Sequence, residues 1–394
     1  MTTSELPHIL FIPRWYPGRN DPMLGLFVRK HALAAVNAGY RVSVAYIDAI
    51  ADSDSDENFR TLVHQEGGLT EVTVEYKKAA GLMGIMHQAS AWRKAVKACY
   101  RLNGKPALVH AHILTRTAII AALISATKRV PYIITEHWSR YYPENYQYSG
   151  FFRKIATRLV VKNATAVTVV SNRLAAAMKS RGLRFNHRPL SNVVDTSLFY
   201  PAESDLVTNK IISITCFEEK SKNLRLLIDA FEEVRSEIAG ATLVLVGEGA
   251  DLEATKSYAA SKNLPAGAIR FTGMLQDEAL SAELRSSACL ALSSNYETFG
   301  IVVYEALACG VPVVATDVAD LKEFIGNRFG RIVNTGDKAG FANALIEVLR
   351  NHKQFDGSKM ATAVGSRFSP RAVSAQLDEL YRSALKTGGG HGRA

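Results

Sequence analysis

The chain has 394 residues, 47% of them hydrophobic and 21% charged, which excludes a disordered or fibrous protein and leaves ample apolar surface for two cores. No run approaches the roughly 18 apolar residues of a membrane span, and Cys99, Cys216, Cys289 and Cys309 lack C-x-x-C spacing, so they read as reduced thiols of a cytoplasmic protein. The net charge of +10 is concentrated in residues 1–200, which hold 26 Lys and Arg against 13 Asp and Glu, while the remainder holds 21 against 24; a basic half points to an anionic partner or, more blandly, to a solvated surface.

The start, "MTTSELPHILFIPRWYP", has no basic n-region and a short apolar run, so it does not read as a signal peptide. "HILFI" (8–12) predicts a strand, and a loop with Pro17, Gly18, Pro22 and Gly25 leads to a helix over 26–38 that stops at Gly39. "YRVSVAYI" is the next strand. "DAIADSDSDEN" (48–58) reads as an acidic, mobile loop, and "RTLVHQE" and "LTEVTVEY" around Gly67–Gly68 as a hairpin. There follow a helix (82–103), "ALVHAH", a helix (115–127), "YIITEH", a helix (151–162), "AVTVVS" and a helix (172–181). Repeated strand–helix–strand units predict a parallel sheet with helices on both faces.

Residues 191–209 are polar, contain Pro201 and read as a linker. The pattern then restarts with "IISITC", helix 223–238, "ATLVLVGEG", helix 251–262, "IRFTG", helix 277–287, "CLALSS", helix 300–309 and "PVVATD", followed by helices to about 386 and a tail with little to bury. The fold class is therefore α/β, with two doubly wound Rossmann-like domains facing across a cleft. The expected boundaries are 1–198, 199–370 and 371–394. Ligands of open parallel sheets sit beyond the carboxyl ends of the strands.

At one such end stands "SNYETFGIVVYEALACGVPVVATD" (294–317), with Glu297 on the loop and Glu305 within the helix. Gly300 lets a ligand approach the backbone, and the helix N-terminus beside it favours a phosphate. A carboxylate cannot hold phosphate but accepts hydrogen bonds from sugar hydroxyls. The bland alternative makes Glu297 a helix cap and leaves Glu305 in solvent.

"ETFGIVVYEALACGVPVV" resembles the Glu-x7-Glu signature of the retaining GT-B glycosyltransferases of family four, the group 1 transferases, and the resemblance extends over about 1–385. It implies transfer of a hexose or N-acetylhexosamine from a nucleotide diphosphate sugar, UDP- or GDP-linked, to a glycan or polyprenyl-linked acceptor, with retention and without a metal or other cofactor. Thr298, Phe299, Gly300, Ile301 and Glu305 would bind donor, with Glu305 on the ribose diol, and Glu297 would contact the transferred sugar. Gly25 matches the glycine that meets the donor phosphates. His137, in "YIITEHWSRYYP", matches a histidine near the transferred sugar, with Glu136 and Arg140 close by as acceptor contacts. Lys222, in "CFEEKSKN", matches the lysine on the diphosphate. Gly247 and Gly249, in "LVGEG", shape the base side.

This sequence departs from the family in two places. Phe217 stands where the family has an arginine on the diphosphate, so Lys220 or Arg14 is needed as a second cation. Ala319–Asp320 stands where Gly-Gly is usual. His110 and His112 lie on one face of their strand, but no third ligand is evident and structural or acceptor-side roles fit better than a metal. Helices 82–103, with Trp92, Arg93, Lys94, Lys97 and Arg101, and 151–162, with Phe151, Phe152 and four cations, are amphipathic and basic. An anionic membrane surface, at the inner face of the cell membrane, is a candidate partner, against plain packing on the sheet. No nucleic-acid-binding pattern is present. A binding protein without turnover, an epimerase and a phosphorylase are the competing readings; the last lacks a lysine context for pyridoxal.

Overall fold

The structure is a computed structural model that describes residues 6–51, 57–145, 147–202 and 208–388. Residues 52–56 of the acidic loop, 203–207 of the linker and the tail 389–394 lie outside these. The first sheet has eight strands: β1 (His8–Pro13), β2 (Arg41–Ile50), β3 (Phe59–Glu66), β4 (Leu69–Lys77), β5 (Leu108–His112), β6 (Tyr132–Glu136), β7 (Ala166–Val169) and β8 (His187–Pro189). Their order is β3-β4-β2-β1-β5-β6-β7-β8, parallel except for the β3–β4 hairpin. The second sheet comprises β9 (Lys210–Ile214), β10 (Thr242–Val246), β11 (Ile269–Gly273), β12 (Cys289–Leu292), β13 (Val313–Thr316) and β14 (Gly330–Val333). It runs β11-β10-β9-β12-β13-β14, all parallel. The two-domain α/β expectation holds. Two edge strands were not anticipated: β8, three residues long, and β14, within a stretch read as helical.

Fully buried runs such as Ile9–Ile12 and Leu243–Val246 explain the strands, since a parallel strand covered on both faces needs no polar alternation. Helices Gly81–Asn103, Arg116–Lys128 and Phe151–Asn163 supply one layer of the first domain. The other face is covered by helix Leu26–Asn37 and by the last helix, Pro370–Gly388, whose Val373, Leu377, Leu380 and Tyr381 pack with Ile9, Phe11 and Val28. The last helix is tied to the first domain by Tyr40 OH donating to Asp378 (2.8 Å) and by His110 Nδ1 to Tyr381 OH (2.9 Å).

Candidate active site

The carboxyl ends of both sheets face each other across a cavity of about 550 Å³. On the second-domain side, the short helix Glu219–Lys222 is stapled to the loop after β12. Ser293 Oγ donates to the Lys222 carbonyl (2.8 Å), Asn295 N to the Ser221 carbonyl (2.8 Å), and Asn295 Nδ2 to the Lys220 carbonyl (3.0 Å). This brings Lys222 Nζ to 2.5 Å from Glu297 Oε1, which also accepts from Ser294 Oγ (3.0 Å). Burial opposes the lysine's charge, but the Glu297 carboxylate overcomes it and holds Lys222 above its ordinary pKa.

Thr298, Phe299, Gly300 and Ile301 line the same cavity. Gly300 precedes helix Ile301–Ala308 with φ 74°, a left-handed conformation that favours glycine. Gly25 repeats the device before helix Leu26–Asn37, with φ 70°, and a Cβ there would lie 2.3 Å from the Trp15 carbonyl. Gly25 thus sets the loop's packing and does not itself line the cavity. Gly247 and Gly249 are outside it too. Side chains there would strike the carbonyls of Thr215 and Cys216 at 1.9 and 1.7 Å, so both glycines press the loop after β10 onto the turn that carries Lys222.

The first-domain side is made of Trp15, Phe27, His137 and Trp138. His137 packs on Phe27 (4.5 Å between ring centres), and its Nε2 lies 3.1 Å from His112 Nδ1. Its Nδ1 is buried without a hydrogen-bond partner among the described residues. Burial first, then the neighbouring histidines, push His112 and His137 well below the ordinary imidazole value, and burial lowers His31 to about 4. The rings are therefore neutral at neutral pH. One nitrogen of each of His31, His112 and His137 lies within 4.8 Å of the others, the spacing of a metal-ligand set. Beside His112 the set draws His137 from the next strand's end and His31 from helix Leu26–Asn37, which the sequence alone did not bring together. His110 is not part of the set, because its nitrogens are engaged by Tyr381 and by Thr135 Oγ1 (2.6 Å).

Several expectations need correction. Glu136 does not reach an acceptor: it is fully buried and its oxygens accept from the N–H groups of Leu114, His137 and Trp138 and from Tyr141 OH, at 2.8–3.0 Å. Arg140 is buried beside it, donating to the Leu114 carbonyl and to Tyr141 OH, with its guanidinium over Trp138. Both residues build the loop that holds His137. Arg14 and Lys220 are exposed and outside the cavity lining, so neither replaces the missing arginine there. Glu305 is outside the lining as well. It is buried, its pKa raised by burial against the pull of Lys30, whose Nζ lies 4.0 Å away across the domain interface.

The two sequence departures now have physical accounts. Phe217 is fully buried against Leu227, Phe231 and Phe271, pointing into the core of the second domain. Asp320 caps a helix of the opposite domain. Its carboxylate accepts from the N–H groups of Asn172 (2.6 Å) and Arg173 (3.1 Å), while the Arg173 guanidinium pairs with Asp317 (2.9 Å). Cavity residues that sequence reasoning missed include Trp15, Trp138, Asn192, Cys216, Glu218 and Tyr296. Only the two tryptophans carried a signal, as large aromatics directly after strands.

Comparison with known proteins agrees with this architecture. Residues 25–192 match the "Glycosyl transferase 4-like domain" and residues 208–351 match "Glycosyl transferases group 1". A phosphatidyl-myo-inositol mannosyltransferase of Mycobacterium leprae is 31% identical over 175 residues, 44% of this chain and 46% of that protein; the chain spans about half the length of the first curated relatives it matches. The sucrose-phosphate synthase of Thermosynechococcus elongatus superposes with a TM-score of 0.76 at 21% identity, over 97% of this chain and all of that one. Anabaena HepE, solved with UDP and glucose, superposes with 0.69 at 17%, over 96% and 100%. With one family model on each domain and the GT-B architecture along its described length, the chain belongs to the group 1 glycosyltransferases.

Proposed function

We propose that the protein is a retaining hexosyltransferase that moves a hexose or N-acetylhexosamine from a UDP- or GDP-sugar to a hydroxyl of a glycan or lipid-linked acceptor, in surface polysaccharide or glycoconjugate synthesis. The observation that carries this reading is the pairing of Lys222 with Glu297 at the N-terminus of helix Ile301–Ala308, opposite a histidine whose Nδ1 is unpartnered. The leaving diphosphate draws Lys222 to itself and takes the helix N–H groups, a fixed electrostatic arrangement that requires no metal. Glu297 then accepts hydrogen bonds from the sugar hydroxyls, and His137 Nδ1 bonds another. The acceptor oxygen forms its bond to the anomeric carbon as the bond to diphosphate breaks, and the acceptor proton leaves with the diphosphate. HepE, solved with UDP and glucose, supports this donor class.

The membrane surface belongs to the same proposal. Helix Gly81–Asn103 packs on the sheet through Ala91, Ala95, Ala98 and Cys99, while Leu82 (73% exposed), Met83, Ile85 and Met86 point away. In the same layer, Phe151 and Phe152 (84% exposed) and Leu159 are also uncovered, and the two helices expose Arg93, Lys94 and Lys97, and Arg153 and Arg158, respectively. Helices that expose both apolar side chains and cations suit the interface of an anionic bilayer. Among the described residues no helix is long and apolar enough to cross one.

Thermal stabilisation by UDP, GDP, ADP and CMP tests the donor. A ligand at about 100 times its Kd adds about 2.7 kcal/mol, and no shift with any of them would sink the reading. Cosedimentation with phosphatidylglycerol vesicles, lost in Phe151→Ser/Phe152→Ser, tests the surface; equal binding by the variant would remove it from the proposal.

A further inference from the structure

Beside the cleft, on the first domain alone, lies a second cavity of about 520 Å³. Its inner wall is Tyr16 and Arg29, whose near neighbours Trp15 and Phe27 wall the first cavity, so one partition separates the two. Its floor is Glu71, Thr73 and Glu75, alternate residues of β4 on one face. Leu62 of β3 stands opposite Thr73 in register. The rim at Gly18–Arg19 is pinned: Asp48 accepts from Arg19 N (3.2 Å) and Asn20 Nδ2 (3.3 Å), and a Cβ on Gly18 would lie 2.5 Å from the same carboxylate.

The two carboxylates of the floor differ. Glu71 is satisfied by Arg29 Nε (2.9 Å) and by the Tyr16 hydroxyl. Glu75 is 2% exposed and its Oε2 has no hydrogen-bond partner among the described residues. A buried carboxylate oxygen without a donor is costly, and a side chain that keeps one in the wall of a cavity has room to turn toward a ligand that supplies the donor. A carboxylate only accepts, so the complement is a group of O–H donors. Arg19, Arg29 and Arg60 line the same cavity, Arg60 opposite Glu75 in register, so donors stand beside the carboxylates; a hydroxyl both donates and accepts and meets both, whereas an acyl chain meets neither.

We propose that this cavity is a subsite for a neutral sugar residue of the acceptor, held through its hydroxyls by Glu75. This rests on the transferase reading, since the partition places the subsite next to the reacting cavity but outside it. The sugar bound there is a unit remote from the reacting hydroxyl, and it sets which acceptors are used.

The test is saturation-transfer NMR of the full chain with maltotriose, cellotriose, mannotriose and chitotriose, alongside thermal shifts with UDP and GDP. At least one trisaccharide is expected to bind, about tenfold or more weakly in Glu75→Gln and not detectably in Leu62→Trp, which fills the cavity from an exposed strand position. The nucleotide shift should be unchanged in both. Binding by no trisaccharide, equal binding in both variants, or inorganic phosphate displacing the sugar would each overturn the subsite. Loss of the nucleotide shift in the unmodified chain would instead strike the transferase reading. Should Glu75→Gln not fold, Leu62→Trp alone decides.

Discussion

The two walls of the cleft solve the same problem by opposite means. The first-domain wall is neutral: His137 and the aromatic rings around it are fixed by packing and by a loop built on Glu136 and Arg140. The second-domain wall is charged: Lys222 and Glu297 are held by backbone staples and by each other. A neutral wall can be pre-formed, because neutral rings need no counter-ion. A charged wall must carry its own counter-ion until substrate arrives. The contrast gives Glu297 one observed role, partner to Lys222, and the proposed reaction adds a second, acceptor for sugar hydroxyls once the lysine turns to a diphosphate.

The hardest test of the contrast adds the cation that the charged wall lacks. Phe217→Arg restores the family residue but pushes a guanidinium into a packed core, and a loss of about 3–5 kcal/mol is expected on denaturant unfolding. A stable, more active variant would show that the position can turn toward the cleft. Next, Lys222→Ala and Glu297→Ala should each lower turnover about a hundred- to a thousandfold with the fold intact by circular dichroism; near-normal turnover in either would end the assignment of roles.

The neutral wall breaks with acid. His31 has its pKa lowered from 6.5 to about 4, so its contribution to stability is whole above pH 6.5 and drains away as the pH falls from 6.5 towards 4. Melting temperature should fall across that window, while Lys222 stays charged throughout. A flat profile would mean that the histidines are not neutral and buried together. The smallest effect is expected where the walls meet: Asp320→Ala removes a helix cap worth about 1 kcal/mol and should widen the domain angle seen by small-angle scattering. An unchanged profile would mean that the capped contact does not hold the domains together.

Sequence reasoning served the charged wall better than the neutral one. Glu297, Gly300 and Lys222 belong to local motifs whose spacing survives in one dimension. His31 joins His112 and His137 only through the fold, and Glu136 and Arg140 look like site residues because a strand end reveals position but not the direction of a side chain. The central strands were legible as apolar runs. His187–Pro189 and Gly330–Val333 were not, since an edge strand needs neither length nor burial to pair. Phe217 and Asp320 were visible as departures, and only the structure distinguishes a core residue from an interdomain cap.

One feature of the last helix bears on how the molecule is made. Tyr381 and its neighbours complete a core begun by Ile9 and Phe11, with His110 bonded to a residue 271 positions further on. At about 5–20 residues per second, the ribosome needs about 10–40 s to travel from the end of the first domain's sheet to that helix. Throughout that interval the apolar surface that the last helix covers, beside helix Leu26–Asn37, stays open on the first domain.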